Sequence, residues 1–126
     1  MTPSRPLRGF VHQAVLTLPA DADDRAPGGA ITLALCGSWE HPPPCPLAPH
    51  HTAVERSSDG AGLVVRTVFA CPPADEVPVR KRIEDALTGR ARVEPDAPAR
   101  TWSVSAVGPS TLRPDELDLA ARLAGG

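Results

Sequence analysis

Residues 51–71 read HTAVERSSDGAGLVVRTVFAC, and this stretch decides the fold. It contains two runs suited to extended structure, 51–56 and 63–71, on either side of the segment 57–62, which holds an aspartate and two glycines. Because glycine tolerates the positive φ that tight turns need, the pattern predicts an antiparallel hairpin.

The register of this hairpin follows from the position of its turn. A turn centred midway between the two runs pairs His50 with Phe69 and Ala48 with Cys71. Directly opposed residues share a face of a sheet, so Cys71 is predicted to lie on the side of His50. A slip of one residue would put His51 there instead, and the sequence alone leaves the choice between the two histidines open.

Three further segments alternate between apolar and polar residues and are predicted to be strands: 10–18, 31–39 and 101–107. Turn-forming and acidic residues at 19–29 separate the first from the second. The apolar faces are predicted to carry Phe10, Ala14, Leu16 and Leu18 in the first strand, Ile31, Leu33, Leu35, Gly37 and Trp39 in the second, and Trp102, Val104 and Ala106 in the third.

Two helices are predicted in the second half of the chain. The first spans 75–88, with Pro78 in its first turn and Gly89 after its end, and the second runs from residue 110 or 111 to 124. The apolar stripe of the first helix comprises Val79, Ile83, Ala86 and Leu87, and its solvent side carries the predicted ion pairs Arg80–Glu84 and Lys81–Asp85.

The order of these elements is β-β-β-β-α-β-α. It predicts an α+β domain with a mainly antiparallel sheet of five strands and two helices on one face. The domain is predicted to span 10–124, after a flexible N-terminal tail at 1–9. A chain of 126 residues has the size of one domain with one core.

Composition excludes several classes of function. The formal net charge of −2 argues against a nucleic-acid footprint, which is normally basic and clustered. No run approaches the roughly 18 apolar residues of a membrane span. We expect a cytoplasmic protein with reduced thiols. One lysine against twelve arginines, with sixteen prolines, is typical of a high-GC bacterium.

The chemically distinctive segment is CGSWEHPPPCPLAPHH, residues 36–51, which holds two of the three cysteines and three of the four histidines. Five prolines make the part from 40 to 50 an irregular loop. Thiolate and imidazole are the ligands that tetrahedral zinc prefers. The candidate metal ligands are His41, Cys45, His50, His51 and Cys71, with His50 and His51 as alternatives. The predicted function is a small zinc-binding domain with a structural site, serving as an accessory or interaction module.

Other interpretations of the same loop stay open. Cys45 beside an imidazole would suit an activated nucleophile, and Glu40 would suit a general base on a metal-bound water, so an enzyme is the first alternative. The second alternative is a metal-free loop whose prolines bind a protein partner. Cys36 fits a small buried hydrophobic residue as well as a ligand, and His12 is interpreted as a hydrogen-bonded histidine of the core or surface.

Overall fold

The computed structural model describes residues 7–19, 25–36, 48–58, 60–88 and 102–125. These residues form four strands and three α-helices. The strands are β1 (Arg8–Thr17), β2 (His50–Arg56), β3 (Gly62–Cys71) and β4 (Ser103–Ser110). The helices are α1 (Ala26–Cys36), α2 (Glu76–Thr88) and α3 (Leu117–Leu123), and short 3₁₀ turns at Pro73–Asp75 and Pro114–Glu116 precede α2 and α3. None of the described helices combines the length and apolar character that crossing a membrane requires.

The four strands form one antiparallel sheet in the order β2-β3-β1-β4. The helix α1 connects β1 to β2, and α2 connects β3 to β4, so each helical connection skips one strand of the sheet. Two such interlocked units make the split βαβ arrangement of ferredoxin-like domains. The predicted α+β class and the antiparallel sheet are confirmed. The two predicted helices are present as α2 and α3, but α3 begins at Leu117 and not at residue 110 or 111, because β4 extends to Ser110 and a 3₁₀ turn follows it.

The predicted hairpin is present with the predicted register. His50 pairs with Phe69, and the Ala70 N–H donates to the carbonyl of Pro49 at 3.0 Å. Gly60 lies in the turn with a φ of 77°, a conformation that favours glycine. The strand β3 lies between β2 and β1 in the sheet. Its face toward the main core carries Leu63, Val65 and Phe69.

The predicted strand at 31–39 is wrong, because the described part of this segment belongs to α1. Ile31 and Leu35 are both buried and lie one helical turn apart, and the Thr32 hydroxyl donates to the Gly28 carbonyl at 3.1 Å. In an almost continuously apolar run, alternation and helical spacing fit the same residues. The parallel relation of β1 and β2 requires a crossover, which α1 supplies, so the described residues form a sheet of four strands where five were predicted.

The main core lies between the sheet and one helical layer, in which α1 and α2 pack against each other. The helix α3 covers the opposite face, where Ala120 packs with Val11 and Val68. The prediction that both helices of the second half share one face is therefore wrong. On this second face Arg66 of β3 holds Glu116 at the start of α3, and Gly9 of β1, which lacks a Cβ atom, leaves room for Ala120.

Candidate functional site

The structure divides the five predicted metal ligands into three groups. His41 and Cys45 lie outside the described residues. His50 and Cys71 share the face of the sheet that α1 and α2 cover, because His50 pairs with Phe69 and Cys71 follows two residues later. His51 pairs with Val68 and faces the other side. The register thus brings together His50 and Cys71 and separates His51 from them.

Cys71 is fully enclosed by the main core, with 1% of its surface exposed. Burial raises the pKa of its thiol to about 11, and the carboxylates of Asp75 and Glu76 add to the effect. The thiol is therefore protonated and unreactive at neutral pH in the metal-free chain. Ala48, which precedes β2, is buried in the same cluster.

His50 is the first residue of the edge strand β2, and its ring contacts the residues just before the strand as well as α1. Its Nδ1 is 3.2 Å from the carbonyl oxygen of Ala48, and its Nε2 is 3.3 Å from the hydroxyl oxygen of Thr32. A carbonyl oxygen only accepts hydrogen bonds, so the contact with Ala48 is a hydrogen bond when Nδ1 carries the hydrogen. The Thr32 hydroxyl donates its one hydrogen to the Gly28 carbonyl, so the contact with Thr32 is a hydrogen bond when Nε2 carries the hydrogen. The ring lines a cleft of about 330 Å³ between α1 and β2.

Among the residues that the structure describes, no three His, Cys, Asp or Glu side chains lie close enough together to hold a metal ion. His50 and Cys71 alone are two candidate ligands of such a site, and tetrahedral zinc takes four. A site built on them would need two further ligands, and the candidates His41 and Cys45 that the sequence offers lie outside the described residues. Cys36 is the last residue of α1 and adjoins that range.

A second cleft, of about 540 Å³, lies between α2 and β4 and has His12 of β1 as its floor. Arg80 and Glu84 of α2 line one side, and Val107 and Pro109 of β4 line the other. The period of β1 turns His12 to the same face as Ala14 and Leu16, and only 1% of its surface is exposed. This histidine is therefore a polar group at the bottom of an otherwise open cleft.

The protonation state of His12 follows from its surroundings. The Arg80 Nη1 donates to His12 Nδ1 at 2.9 Å, so Nδ1 is the unprotonated nitrogen and Nε2 carries the hydrogen. Burial and, as the smaller cause, the charge of Arg80 together lower the pKa of His12 to about 4. The ring is neutral at physiological pH, and its Nε2–H lies beneath the floor of the cleft with almost no exposed surface.

Glu84 lies beside His12 without using that hydrogen. Its Oε2 is 3.3 Å from His12 Nε2 but off the N–H direction, and within the described part of the chain Nε2 has no hydrogen-bond partner. The carboxylate is partly exposed, with 40% of its side-chain surface accessible. A hydrogen-bond donor and a carboxylate acceptor thus lie side by side at the floor of the cleft.

Arg80 is the residue that fixes this arrangement. Its Nε donates to Glu76 at 2.8 Å, and Nη1 donates to the carbonyl of Val11 at 2.8 Å as well as to His12. Its guanidinium also lies over the rings of Phe10 and Phe69, 5.7 and 5.3 Å from their centroids. The predicted Arg80–Glu84 pair is therefore wrong, because Arg80 turns toward the sheet, whereas the predicted Lys81–Asp85 pair is present at 2.6 Å.

Sequence reasoning missed the cleft although one signal for it was present. In the strand pattern of 10–18, His12 falls on the same face as Phe10, Ala14 and Leu16. An ionisable residue on the buried face of a strand needs partners, and those partners come from α2, almost seventy residues away. The local pattern indicates that His12 requires hydrogen-bond partners, but it does not identify Arg80 as that partner.

Comparison of the chain with protein-family models, with curated proteins and with solved structures gives no match. The fold alone does not indicate an activity, because ferredoxin-like domains serve many unrelated functions. The function must therefore be argued from the residues of this chain.

Proposed function

We propose that this chain is a small zinc-binding domain in which His41, Cys45, His50 and Cys71 ligate a structural metal ion. The metal would connect the proline-rich segment to the end of the sheet. The domain would act as an accessory or interaction module in a reducing compartment such as the cytoplasm, where thiols remain available as ligands.

The observation that carries the proposal is the register of the β2–β3 hairpin. His50 and Cys71 are diagonal neighbours on one face, and such neighbours lie roughly 7–8 Å apart. Zinc bonds of about 2.0–2.3 Å to nitrogen and sulfur bridge that spacing when both side chains lean toward one point. These two residues are far apart in sequence, so their convergence does not follow from a short repeated motif.

The hydrogen bond of His50 to Ala48 supports the same proposal. Histidines that bind metals usually donate their other ring N–H to a carbonyl or carboxylate, which fixes the tautomer and the ring orientation. In the tautomer that carries its hydrogen on Nδ1, His50 donates to the Ala48 carbonyl in this way, and Nε2 would supply the lone pair to the metal. His51, on the opposite face, is excluded from the proposed ligand set.

Chain connectivity supports the inclusion of Cys45. It precedes Ala48 by three residues, so covalent geometry limits the two Cα atoms to a separation of about 11 Å. Ala48 is buried in the same cluster as Cys71. Cys45 is therefore tethered to the end of the sheet that the other two proposed ligands occupy.

The test is metal analysis of protein purified without a histidine tag. We expect close to one zinc per chain in the wild type and in His51→Ala, which is the matched control. His50→Ala and Cys45→Ser should each lose most of the metal. Cys71→Val should lose it as well, while an apolar side chain keeps the core filled.

Two outcomes would remove the proposal. One is a wild-type protein that holds no zinc and takes up none on addition. The other is equal zinc content in His50→Ala and His51→Ala. The number of protein ligands, counted by X-ray absorption, separates the structural site from the enzyme alternative, since a catalytic zinc keeps one position for water.

A further inference from the structure

We propose that the cleft between α2 and β4 binds a small neutral molecule through a primary amide or lactam group, with His12 and Glu84 as the recognising pair. This site is separate from the proposed metal site and shares no residue with it. The proposal rests on the geometry of the cleft floor, its charge balance and its apolar walls.

The first half of the recognising pair is a fixed hydrogen-bond donor. The guanidinium of Arg80 donates to Nδ1 of His12, which leaves the hydrogen on Nε2. His12 is almost fully buried, and its Nε2 has neither exposed surface nor a hydrogen-bond partner within the described residues. The ring lines the cleft beside Glu84, whose side chain is 40% exposed and has to turn aside before a ligand atom reaches Nε2. Burying a hydrogen-bond donor without an acceptor costs free energy, and a ligand atom that accepts from this N–H would remove that cost.

The second half of the pair is an acceptor. Glu84 Oε2 lies 3.3 Å from His12 Nε2, so the donor and the carboxylate are side by side. An amide presents the complementary pair, because its carbonyl oxygen accepts and its N–H donates from adjacent atoms of one planar group. Both hydrogen bonds form at once only when the ligand offers an acceptor next to a donor.

Charge at the floor of the cleft selects against ions. A carboxylate ligand would accept from His12 but would bring its second oxygen toward the charge of Glu84. A cationic ligand would donate to Glu84 but would offer no acceptor to the His12 N–H. At the rim Lys81 and Asp85 already pair with each other at 2.6 Å. A neutral polar group is what remains compatible.

The walls of the cleft fit a flat ring beside that polar group. Val107 and Pro109 supply apolar surface from β4, and Val77, which is 76% exposed, supplies it from α2. The volume of about 540 Å³ lies within the range of small-molecule sites. A ring that carries an amide substituent, or a cyclic amide, would cover these apolar side chains and reach the floor.

The experiment is an NMR titration of the isotope-labelled full chain with three one-ring probes: benzamide, benzoate and acetophenone. Benzamide has both an acceptor and a donor, benzoate has acceptors and a negative charge, and acetophenone has an acceptor only. For a probe of this size we expect a Kd on the order of a millimolar for benzamide. Benzoate and acetophenone should bind about tenfold more weakly, and benzamide should shift the imidazole resonances of His12.

Two variants test the roles of the pair. Glu84→Gln keeps the shape and removes the charge, so benzoate should gain affinity and the preference for benzamide should shrink severalfold. Asp118→Asn is the matched control, because it removes the same charge from α3 on the opposite face and should leave the preference unchanged. His12→Gln should abolish the shift pattern for all three probes.

The proposal is overturned if none of the probes binds, if benzamide and benzoate bind equally well to the wild type, or if Glu84→Gln leaves their ratio unchanged. The backbone amide spectrum of each variant reports whether it is folded. Because Glu84 is partly exposed, the Gln variant is expected to fold and keeps the test decisive even where His12→Gln is unstable.

Discussion

Arg66 on β3 and Glu116, fifty residues further along the chain, form a two-point ion pair. Nε donates to Oε2 at 2.8 Å, and Nη2 donates to Oε1 at 2.7 Å. The other N–H groups of Arg66 donate to Gln13, to Ser110 and to the carbonyl of Thr111. The guanidinium thus has all five of its hydrogens engaged, although both charged side chains are largely buried. This network connects the start of α3 to the centre of the sheet.

We expect Glu116→Ala to lower the free energy of unfolding by about 3–5 kcal/mol, because it leaves the Arg66 charge buried without its partner. The variant also removes the carboxylate that accepts the Arg113 N–H at 2.8 Å. Urea unfolding at neutral pH measures the change. Asp115→Ala is the control: its side chain is exposed, so its effect should stay within about 0.5 kcal/mol. Equal effects of the two variants would contradict the structural role of the pair.

Gly9 is expected to be intolerant of any side chain because α3 crosses β1 at this residue. A Cβ atom added there would lie 2.6 Å from the Cβ of Ala120 and 3.4 Å from its Cα. Gly9→Ala should therefore destabilise the protein by about 1–3 kcal/mol, the usual range for an overpacked contact. Thermal or urea unfolding provides the measurement.

Two comparisons make this prediction specific. Gly108→Ala changes another glycine of the sheet, where no described atom beyond the two chain neighbours lies within 4 Å of the added Cβ, and it should be nearly neutral. In the double variant Gly9→Ala with Ala120→Gly, part of the lost stability should return, because the closest contact is removed. A Gly9→Ala protein as stable as Gly108→Ala would show that α3 does not approach β1 this closely.

The parts of the fold that the sequence predicted are those set by short-range patterns. The register of the hairpin follows from one turn, and the stripe of Val79, Ile83 and Leu87 identifies the buried side of α2. The helix α1 was mistaken for a strand because an apolar run such as 31–36 fits both periods. Only the crossover between β1 and β2 decides between them, and that is a property of the whole sheet.

The candidate sites divide in the same way. The convergence of His50 and Cys71 was predicted, since it depends on the hairpin register alone. The cleft at His12 was missed, because its other members lie on α2 and β4, and their arrangement depends on how α2 packs across the sheet. The side of the sheet that α3 covers depends on Arg66 meeting Glu116, which no local pattern reveals.

Acid should destabilise the protein in the pH range in which His12 would otherwise take up a proton. The pKa of His12 is lowered from 6.5 to about 4, so the unfolded chain binds this proton more readily than the folded one. Above pH 6.5 His12 does not reduce the free energy of unfolding. Below this pH the reduction grows until the pH reaches about 4, where it levels off. The pKa difference corresponds to about 3 kcal/mol.

The contribution of His12 is isolated by comparison with His12→Gln, which has no titrating ring at this position. Between pH 6.5 and pH 4 the wild type should lose about 3 kcal/mol of stability relative to the variant. Release of a metal ion by acid would affect both proteins and cancels in the difference. Parallel stability curves for the two proteins across this range would contradict a buried neutral His12. The stability that ionised Glu116 contributes is lost at lower pH, between pH 4.5 and about 2.

The last prediction concerns the role of the metal in folding. If zinc connects the proline-rich segment to the sheet, its binding free energy contributes directly to stability, because the unfolded chain has no preformed site. Cys45→Ser and treatment of the wild type with a chelator should then each lower Tm by roughly 10 °C or more, since one kcal/mol corresponds to roughly 4–8 °C in a small domain. His51→Ala should melt as the wild type does.

The segment itself explains why a metal is expected to matter there. Residues 40–50 contain five prolines, which donate no backbone hydrogen bonds, and their aliphatic side chains other than proline are Leu47 and Ala48 alone. Ala48 is buried in the main core, and the Pro49 carbonyl accepts a ladder hydrogen bond, so these contacts fix the end of the segment. The sequence from 40 to 47 has few amide donors and, apart from proline, one aliphatic side chain, Leu47. A Cys45→Ser protein that has lost its zinc and keeps the full Tm would contradict the structural role, because the sheet and helices would then hold without the metal. The enzyme alternative would gain from that result, since a catalytic metal can be removed without loss of the fold.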